Sequence, residues 1–369
     1  MTDERIMIKE LAREFTQNQV RPLADRLDPE KGDFPSSLVD RMGELGFFGI
    51  LIPEEFGGLG LGAYEYCLVS EELAKGWMSV ASLLARGNSF YKRISGDKEE
   101  RNHKIAAMAR GHYLGAAALS EPGTGSDLSG VSCRARRDGD EWVITGSKYW
   151  CTFADGADFI RVLCRIDDGS GGKLGTIALN VDKPRGQLPD GVTGSPIPKI
   201  GYFGWKTWEL HFDGVRVRAE SDVPDGRGFQ DTSMGLELAR AQTAARSIGL
   251  AQAALDHAAS YAKERVQFGQ PIAEFQAIRF KIAKMATQIE ASRQLLYHTC
   301  EEIDAGRSAR VKTSMVKYLA AEMAEEVTSE ALQILGGAGY TTLHPVERFW
   351  RDARLTKIFE GTSEIMLRI

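Results

Sequence analysis

Val131-Ser-Cys-Arg-Ala-Arg-Arg137, then Asp138-Gly139, then Glu141-Trp-Val-Ile-Thr145 is the stretch that decides the architecture. Two β-prone runs flanking Asp-Gly predict an antiparallel hairpin, because Asp-Gly adopts tight hairpin turns at little steric cost. Working outward, Phe159 to Arg165, Gly175 to Val181 and Trp208 to Val217 read as further strands, and the polar insert Asp167-Asp-Gly-Ser-Gly-Gly172 as a loop. The block from about Gly115 to Arg218 is thus expected to form a small β-barrel or sandwich.

On both sides of this block the apolar period becomes helical. Ile8, Leu11, Ala12 and Phe15 fall on one face, and a second helix is expected to open at Pro35, bury Leu38, Met42 and Leu45, and stop at Gly46. The glycine-rich run Glu54 to Gly62 lacks the GxGxxG spacing and reads as a helix–helix turn without a cofactor role. From Gln230 onward, Met234 to Ala262, Glu274 to Ala305 and Ala309 to Leu335 predict long helices that need a bundle to bury their apolar stripes. The fold class expected is multi-domain α+β: an N-terminal α-helical domain over 1–114, a middle β domain over 115–221 and a C-terminal α-helical bundle over 222–369.

The 43% hydrophobic and 26% charged fractions fit a globular chain of 369 residues. A net charge of -5 disfavours a nucleic-acid surface, which needs clustered Lys and Arg. The five cysteines are scattered and never form CxxC, so neither a disulfide framework nor a metal site is expected. With no apolar h-region at MTDERIM and no uninterrupted apolar run of about 18 residues, the expectation is a cytoplasmic protein without a membrane span.

Three segments carry chemistry. In Leu119-Ser120-Glu121-Pro122-Gly123-Thr124-Gly125-Ser126-Asp127 the glycines let backbone amides approach a ligand, and Ser120 and Ser126 offer hydroxyls to flavin or phosphate acceptors. Taken alone it is an ordinary Pro-Gly turn. In Lys148-Tyr149-Trp150-Cys151-Thr152, strand alternation places Trp150 and Thr152 on one side, a flat wall beside a hydroxyl that suits an isoalloxazine ring; a half-buried core Trp is the competing reading. In the run ending Ile358-Phe359-Glu360-Gly361-Thr362-Ser363-Glu364, Glu360 stands where an apolar cavity would desolvate a carboxylate and raise its basicity, although a lone Glu at a helix end is commonly a surface acid.

Taken together, these segments resemble the acyl-CoA dehydrogenase family across nearly the whole chain. Leu119 to Asp127 is similar to T-E-P-x-x-G-S-D with Ser120 in place of Thr. Arg265-Val-Gln-Phe268-Gly269 with Gln276 resembles R-x-x-F-G and its following Gln, Gln333 to Gly337 resembles Q-x-x-G-G, and Phe359 to Glu364 resembles Y-E-G-T-S-E/Q. The resemblance implies an α-helical N-terminal domain, a middle β domain, a C-terminal four-helix bundle, one FAD per subunit and a homo-oligomer, usually a tetramer. It also implies an acyl-CoA or acyl-carrier-protein thioester as substrate and an electron-transferring flavoprotein as acceptor. Residue by residue, it implies that Leu119, Ser120, Gly125, Ser126, Trp150 and Thr152 hold flavin within one subunit. Arg265, Phe268, Gln276, Gln333 and Gly337 would reach a neighbour's cofactor, and Thr362 and Glu364 would close the site.

By the same resemblance Glu360 is the base that takes the α-proton. The alternative family position for a base is occupied by Ala239, which has no carboxylate. Glu237 and Arg240 are expected to meet the CoA portion of the substrate, with Ser126 beside the thioester tail. Arg86, with Lys75 upstream, stands where a carboxylated or otherwise polar acyl group would be received. Phe153-Ala154-Asp155 departs from the small polar pair usual after the Thr, and Trp205 and Trp208 are bulkier than the pattern. An oxidase or monooxygenase on the same fold, and a silent thioester-binding scaffold, are the rival readings.

Overall fold

The computed structural model describes residues 2–94, 96–167, 169, 175–219 and 236–369. Helix α1 (Asp3–Phe15) starts where the Thr2 side chain accepts the Arg5 amide, with Asp3 and Glu4 favouring its positive end. Ala12 and Phe15 are buried, but Leu11 is 39% exposed, so the inward stripe is narrower than the sequence suggests. A π-helical turn (Thr16–Val20) carries the chain into α2 (Arg21–Leu27). In α3 (Ser36–Glu44), Pro35 is the extended residue just before the helix, and Gly46 stops it in a left-handed conformation at φ 74.

Helix α4 (Ala63–Ala74) is buried on every side, all twelve residues. Its acids are neutralised from outside: Glu65 by Arg5, Glu71 by Arg293, Glu72 by Lys75. The glycine-rich loop before it is a close-packed turn in which a Cβ on Gly58 would meet the Ile52 carbonyl oxygen at 2.1 Å. Helices α5 (Met78–Asn88) and α6 (Lys98–Ala109) complete the first block.

The middle block is one seven-stranded sheet of β1 (Gly115–Ala118), β2 (Arg134–Asp138), β3 (Glu141–Thr152), β4 (Phe159–Ile166), β5 (Thr176–Asp182), β6 (Val192–Pro196) and β7 (Thr207–Arg218). Strand β4 is its node, pairing in parallel with β1 and then β2 along one edge and antiparallel with β5 along the other. The hairpin β2–β3 forms as read, but Asp138 pairs with Glu141, so the turn residues are Gly139 and Asp140. Gly139 at φ 60 in the first turn position fits a type II′ geometry and explains the one-residue offset. Strands β1 and β6 are additional to those read from the sequence. Of the polar insert expected as a loop, only Asp167 and Gly169 fall within the described residues.

The bundle comprises α7 (Leu236–Glu264), α8 (Gln276–Asp304), α9 (Arg310–Leu335), α10 (Val346–Thr356) and α11 (Ser363–Arg368). The expected start of α7 at Met234 lies outside the described residues. Helix α7 packs on α9, α8, α10 and also on α4. Gly249 makes that last contact close, because a Cβ there would sit 2.3 Å from the Glu71 carbonyl oxygen. A two-residue ladder, β8 (Val266–Gln267) with β9 (Gln270–Pro271), links α7 to α8. All five cysteines are buried and reduced. Among the described residues, no helix is long and apolar enough to cross a membrane, and no group of three metal-ligating side chains occurs.

Candidate active site

Helix α10 ends at Thr356, and the turn that follows delivers Glu360 at φ 55 and Gly361 at φ 93. Among the described residues six non-glycine positions have positive φ, and five of them, Trp150, Phe153, Tyr202, Phe268 and Glu360, lie in or beside the segments singled out for chemistry. Such conformations persist only where surrounding structure imposes them, and they concentrate at functional sites.

Behind Glu360 stands Lys317 of α9, fully buried, whose Nζ donates to the Gly361 carbonyl oxygen at 2.5 Å. Burial pushes its pKa down to about 8, with Glu360 pulling the other way. Phe359 lies under the guanidinium of Arg246 (4.7 Å to the ring centroid) and edge-on to Tyr202 at 5.9 Å. Arg246, 3% exposed on α7, donates to Ser82 Oγ at 2.5 Å and Thr243 Oγ1 at 2.8 Å. Arg86 on α5 stacks over Trp205 at 4.8 Å and Phe153 at 5.9 Å. Desolvation lowers the Arg86 pKa, partly offset by Tyr202, Cys151 and Glu360. The surroundings of Glu360 are therefore cationic as well as apolar. Lys75 takes no part, because its Nζ pairs with Glu72 at 2.7 Å.

The loop Leu119 to Asp127 is anchored by Glu121, which accepts from Lys148 Nζ at 2.8 Å and from Ser132 and Cys133 amides at 2.7 and 2.9 Å. Burial pushes the Glu121 carboxyl up, but Lys148 and these donors together hold it below its ordinary value. Removing one partner of such a buried pair costs about 3–5 kcal/mol. Lys148 also donates to the Leu119 carbonyl, and the Tyr149 amide donates to that of Ser120, so the loop is fixed against β3. Gly125 and Ser126 beyond it are exposed.

Trp150 and Thr152 are not placed by simple alternation. The β3–β7 register shifts between Lys148 and Cys151, and Trp150 turns out at φ 65 with 56% of its surface exposed. Thr152 Oγ1 lies 3.0 Å from Thr207 Oγ1. Phe153, which departs from the family pattern, packs with Phe34 and Trp205. Trp205 fills the space between Phe34, Phe153 and Tyr202, and Trp208 Nε1 donates to Asp155, which accounts for both tryptophans.

Arg265, Phe268, Gln276, Gln333 and Gly337 are all exposed, at the α7–α8 link and the end of α9. Among the described residues, no hydrogen bond or ion pair joins any of them to the loop Leu119–Asp127 or to Trp150 and Thr152. Thr362 caps α11 by accepting the Ile365 amide, and Glu364 is exposed beside it. Arg240 is buried, with its Nη1 3.5 Å from Ser314 Oγ; burial and then the charge of Arg310 hold its pKa below the ordinary value, with the half-buried Glu237 pulling the other way. Arg246, Lys317, Tyr66 and Tyr202 escaped the sequence reading. The signal for two of them was available: Lys317 shares a helical face with Thr313, Ala320, Ala321 and Ala324, and Arg246 with Gln242, Thr243 and Leu250.

Comparison with known proteins matches three domain families in order: acyl-CoA dehydrogenase N-terminal domain over residues 2–112, middle domain over 116–215 and C-terminal domain over 226–369. A (2S)-methylsuccinyl-CoA dehydrogenase of Cereibacter sphaeroides is 38% identical over 378 residues, covering 100% of this chain and 69% of that protein. Butyryl-CoA dehydrogenase from Megasphaera elsdenii superposes with a TM-score of 0.93 at 34% identity, covering 100% of this chain and 97% of that one. A chain solved with the electron transferring flavoprotein of Acidaminococcus fermentans as its subject gives 0.93 at 36% identity, with 100% and 97% covered. With all three domains matched in sequence and the whole fold superposed, the chain belongs to the acyl-CoA dehydrogenase family.

Proposed function

We propose that this protein removes two hydrogens from the α and β carbons of an acyl-CoA thioester, with Glu360 taking the α-proton. The observation that carries this reading is the Glu360 turn, a carboxylate in a left-handed conformation whose next residue is tied to the buried Lys317. FAD, the cofactor of the family, supplies the two-electron acceptor for the β-hydride. The thioester leaves as the trans-2-enoyl thioester, one hydrogen having gone as a proton to Glu360 and the other as hydride.

The residues present fit that cofactor. A Cβ on Gly123, Gly125 or Gly337 would meet nothing within 4 Å, so their backbone is open to a ligand. Trp150 offers an exposed ring and Ser126 an exposed hydroxyl in the neighbouring segments. Leu119, Ser120, Gly125, Ser126, Trp150 and Thr152 would hold the flavin from one subunit. Thr362 and Glu364 would close over it. The exposure of Arg265, Phe268, Gln276, Gln333 and Gly337 suits contact with a neighbour's flavin, hence a homotetramer. Glu237, Arg240 and Ser126 would meet the CoA portion. An electron-transferring flavoprotein would reoxidise the enzyme, in the cytoplasm.

Anaerobic titration of the purified flavoprotein with a panel of acyl-CoAs tests the reading. Bleaching of the oxidised flavin by at least one saturated acyl-CoA, and little oxygen consumption in air, is the expected outcome. Rapid oxygen uptake would favour an oxidase, and a flavin that no thioester reduces would leave only a binding role.

A further inference from the structure

Two arginines gather beside the Glu360 segment, Arg246 over Phe359 and Arg86 over Trp205, whose neighbour Tyr202 packs on Phe359. Among the described residues, neither Arg86 nor Arg246 forms an ion pair with any Asp or Glu. Arg246 spends its donors on the neutral oxygens of Ser82, Thr243 and the Gln242 backbone, which satisfy hydrogen bonds but leave the charge uncompensated. Arg86 has aromatic faces on two sides, and its Nε has no partner among the described residues. The Tyr66 hydroxyl, buried on α4, lies near the Ser89 side chain and within the electrostatic reach of Arg246. Both arginines and Glu360 lie within the electrostatic reach of the buried Tyr202. Aromatic stacking compensates only part of a desolvated guanidinium's lost hydration. An acyl pocket made for an alkyl tail needs neither charge nor these donors, since burying unpaired polar groups opposes binding of an apolar ligand.

Resting on the dehydrogenase reading, we infer that the substrate's acyl chain carries a carboxylate, received by Arg86 and Arg246 with the Tyr66 hydroxyl beside them. The substrate class is the monothioester of a short dicarboxylic acid. A carboxylate there supplies the missing counter-charge and accepts from the unpaired Arg86 Nε, a charge-assisted arrangement that a methyl end cannot form. The carboxylate that bears on Arg86 from within the chain is that of Glu360, which the proposed function commits to proton abstraction. Its charge therefore does not replace the ligand's.

The test is anaerobic flavin reduction by the holoenzyme with matched pairs: glutaryl-CoA and methylsuccinyl-CoA against pentanoyl-CoA and butyryl-CoA. The wild type is expected to favour the carboxylated thioesters by about 100-fold in kcat/KM, the order lost when one member of a buried charge pair is absent. Arg246→Met and Arg86→Met should each collapse that ratio mainly through the carboxylated substrates, with Arg246→Lys restoring part of it. A wild type that reduces its flavin faster with the alkyl thioesters overturns the inference while leaving the dehydrogenase intact. So do variants that lose both substrate types equally. Flavin reduced by no thioester of either type overturns both readings. The wild-type ratio alone decides the matter if the variants do not fold.

Discussion

Lys317 Nζ and the carbonyl oxygen of Gly361 are 2.5 Å apart, which ties the residue after the proposed base to the buried interior of α9. Lys317→Met cuts that tie and lets the turn move relative to the thioester. Flavin reduction should slow by about 10- to 100-fold, the scale on which misplacing a reacting group acts, with FAD retained. There is a pH signature as well. Burial holds Lys317 near 8, below the 10.5 of a free lysine, so between these values the unfolded chain holds a proton that the folded one does not. Stability of the wild type relative to the Met variant should therefore rise with pH across that window, in paired thermal melts.

Glu360→Gln keeps the size of the side chain but cannot accept the α-proton. FAD should stay bound while reduction by substrate slows at least about 100-fold, as for loss of a positioned general base. Stopped-flow absorbance reads this directly. Reduction at the wild-type rate would move the base to another acid.

Gly125 lets the proposed flavin site be tested apart from the fold. Its φ is not left-handed and nothing lies within 4 Å of an added Cβ, so Gly125→Val should leave the melting temperature of the FAD-stripped protein unchanged. If Gly125 lies against the flavin as proposed, FAD affinity should nevertheless drop by about tenfold or more, because the branched side chain would block the close backbone approach. Fluorescence titration with FAD compares the two.

Phe268 is 94% exposed, so Phe268→Ala removes little that holds one subunit together. Its expected effect is on association: a smaller mass in analytical ultracentrifugation and weaker FAD retention. An unchanged mass with full flavin retention would exclude Phe268 from a subunit contact.

Asp352 and Asp28 each have one buried carboxylate oxygen without a partner among the described residues, and Asp352 also accepts the Tyr202 amide at 2.6 Å. Burial, then the charge of Asp28, push the Asp352 carboxyl up to about 7. The folded chain thus holds a proton that the unfolded chain has released once the pH is above 3.8, and stability falls as pH rises toward 7. Asp352→Asn carries a permanent donor and escapes that loss. Its melting temperature relative to wild type should increase between about pH 4 and 7.5 by about 2–4 °C.

The fold was readable because its signals are local. Asp138-Gly139 marked a hairpin, and the alanine-rich periodicity marked the three long helices with ends within a few residues. Strands β1 and β6 were not readable, since Gly115–Ala118 and Val192–Pro196 are short and owe their pairing to partners distant in sequence. In the site, Glu360, Trp150 and the Leu119–Asp127 loop announced themselves by motif. Arg246 and Lys317 carry no motif: each is one of three Lys or Arg in its helix, its place on a face of small residues marks it as inward, and packing alone decides that it meets Phe359 or Gly361. Tyr202 and Trp205 were visible as anomalies, but what they fill depends on Phe34, from another part of the chain.

The all-round burial of α4 also sets a timetable for synthesis. Its covering helices α7 and α8 leave the ribosome only after the whole sheet has been made, which at about 5–20 residues per second is a delay on the order of ten seconds. Through that interval Ala63–Ala74 has α1 and α5 beside it while its α7 and α8 faces stay uncovered, and Glu71 waits for its counter-ion Arg293. The nascent chain is then most open to chaperone capture at Ala63–Ala74, and slowing translation before Leu236 should lengthen that exposure.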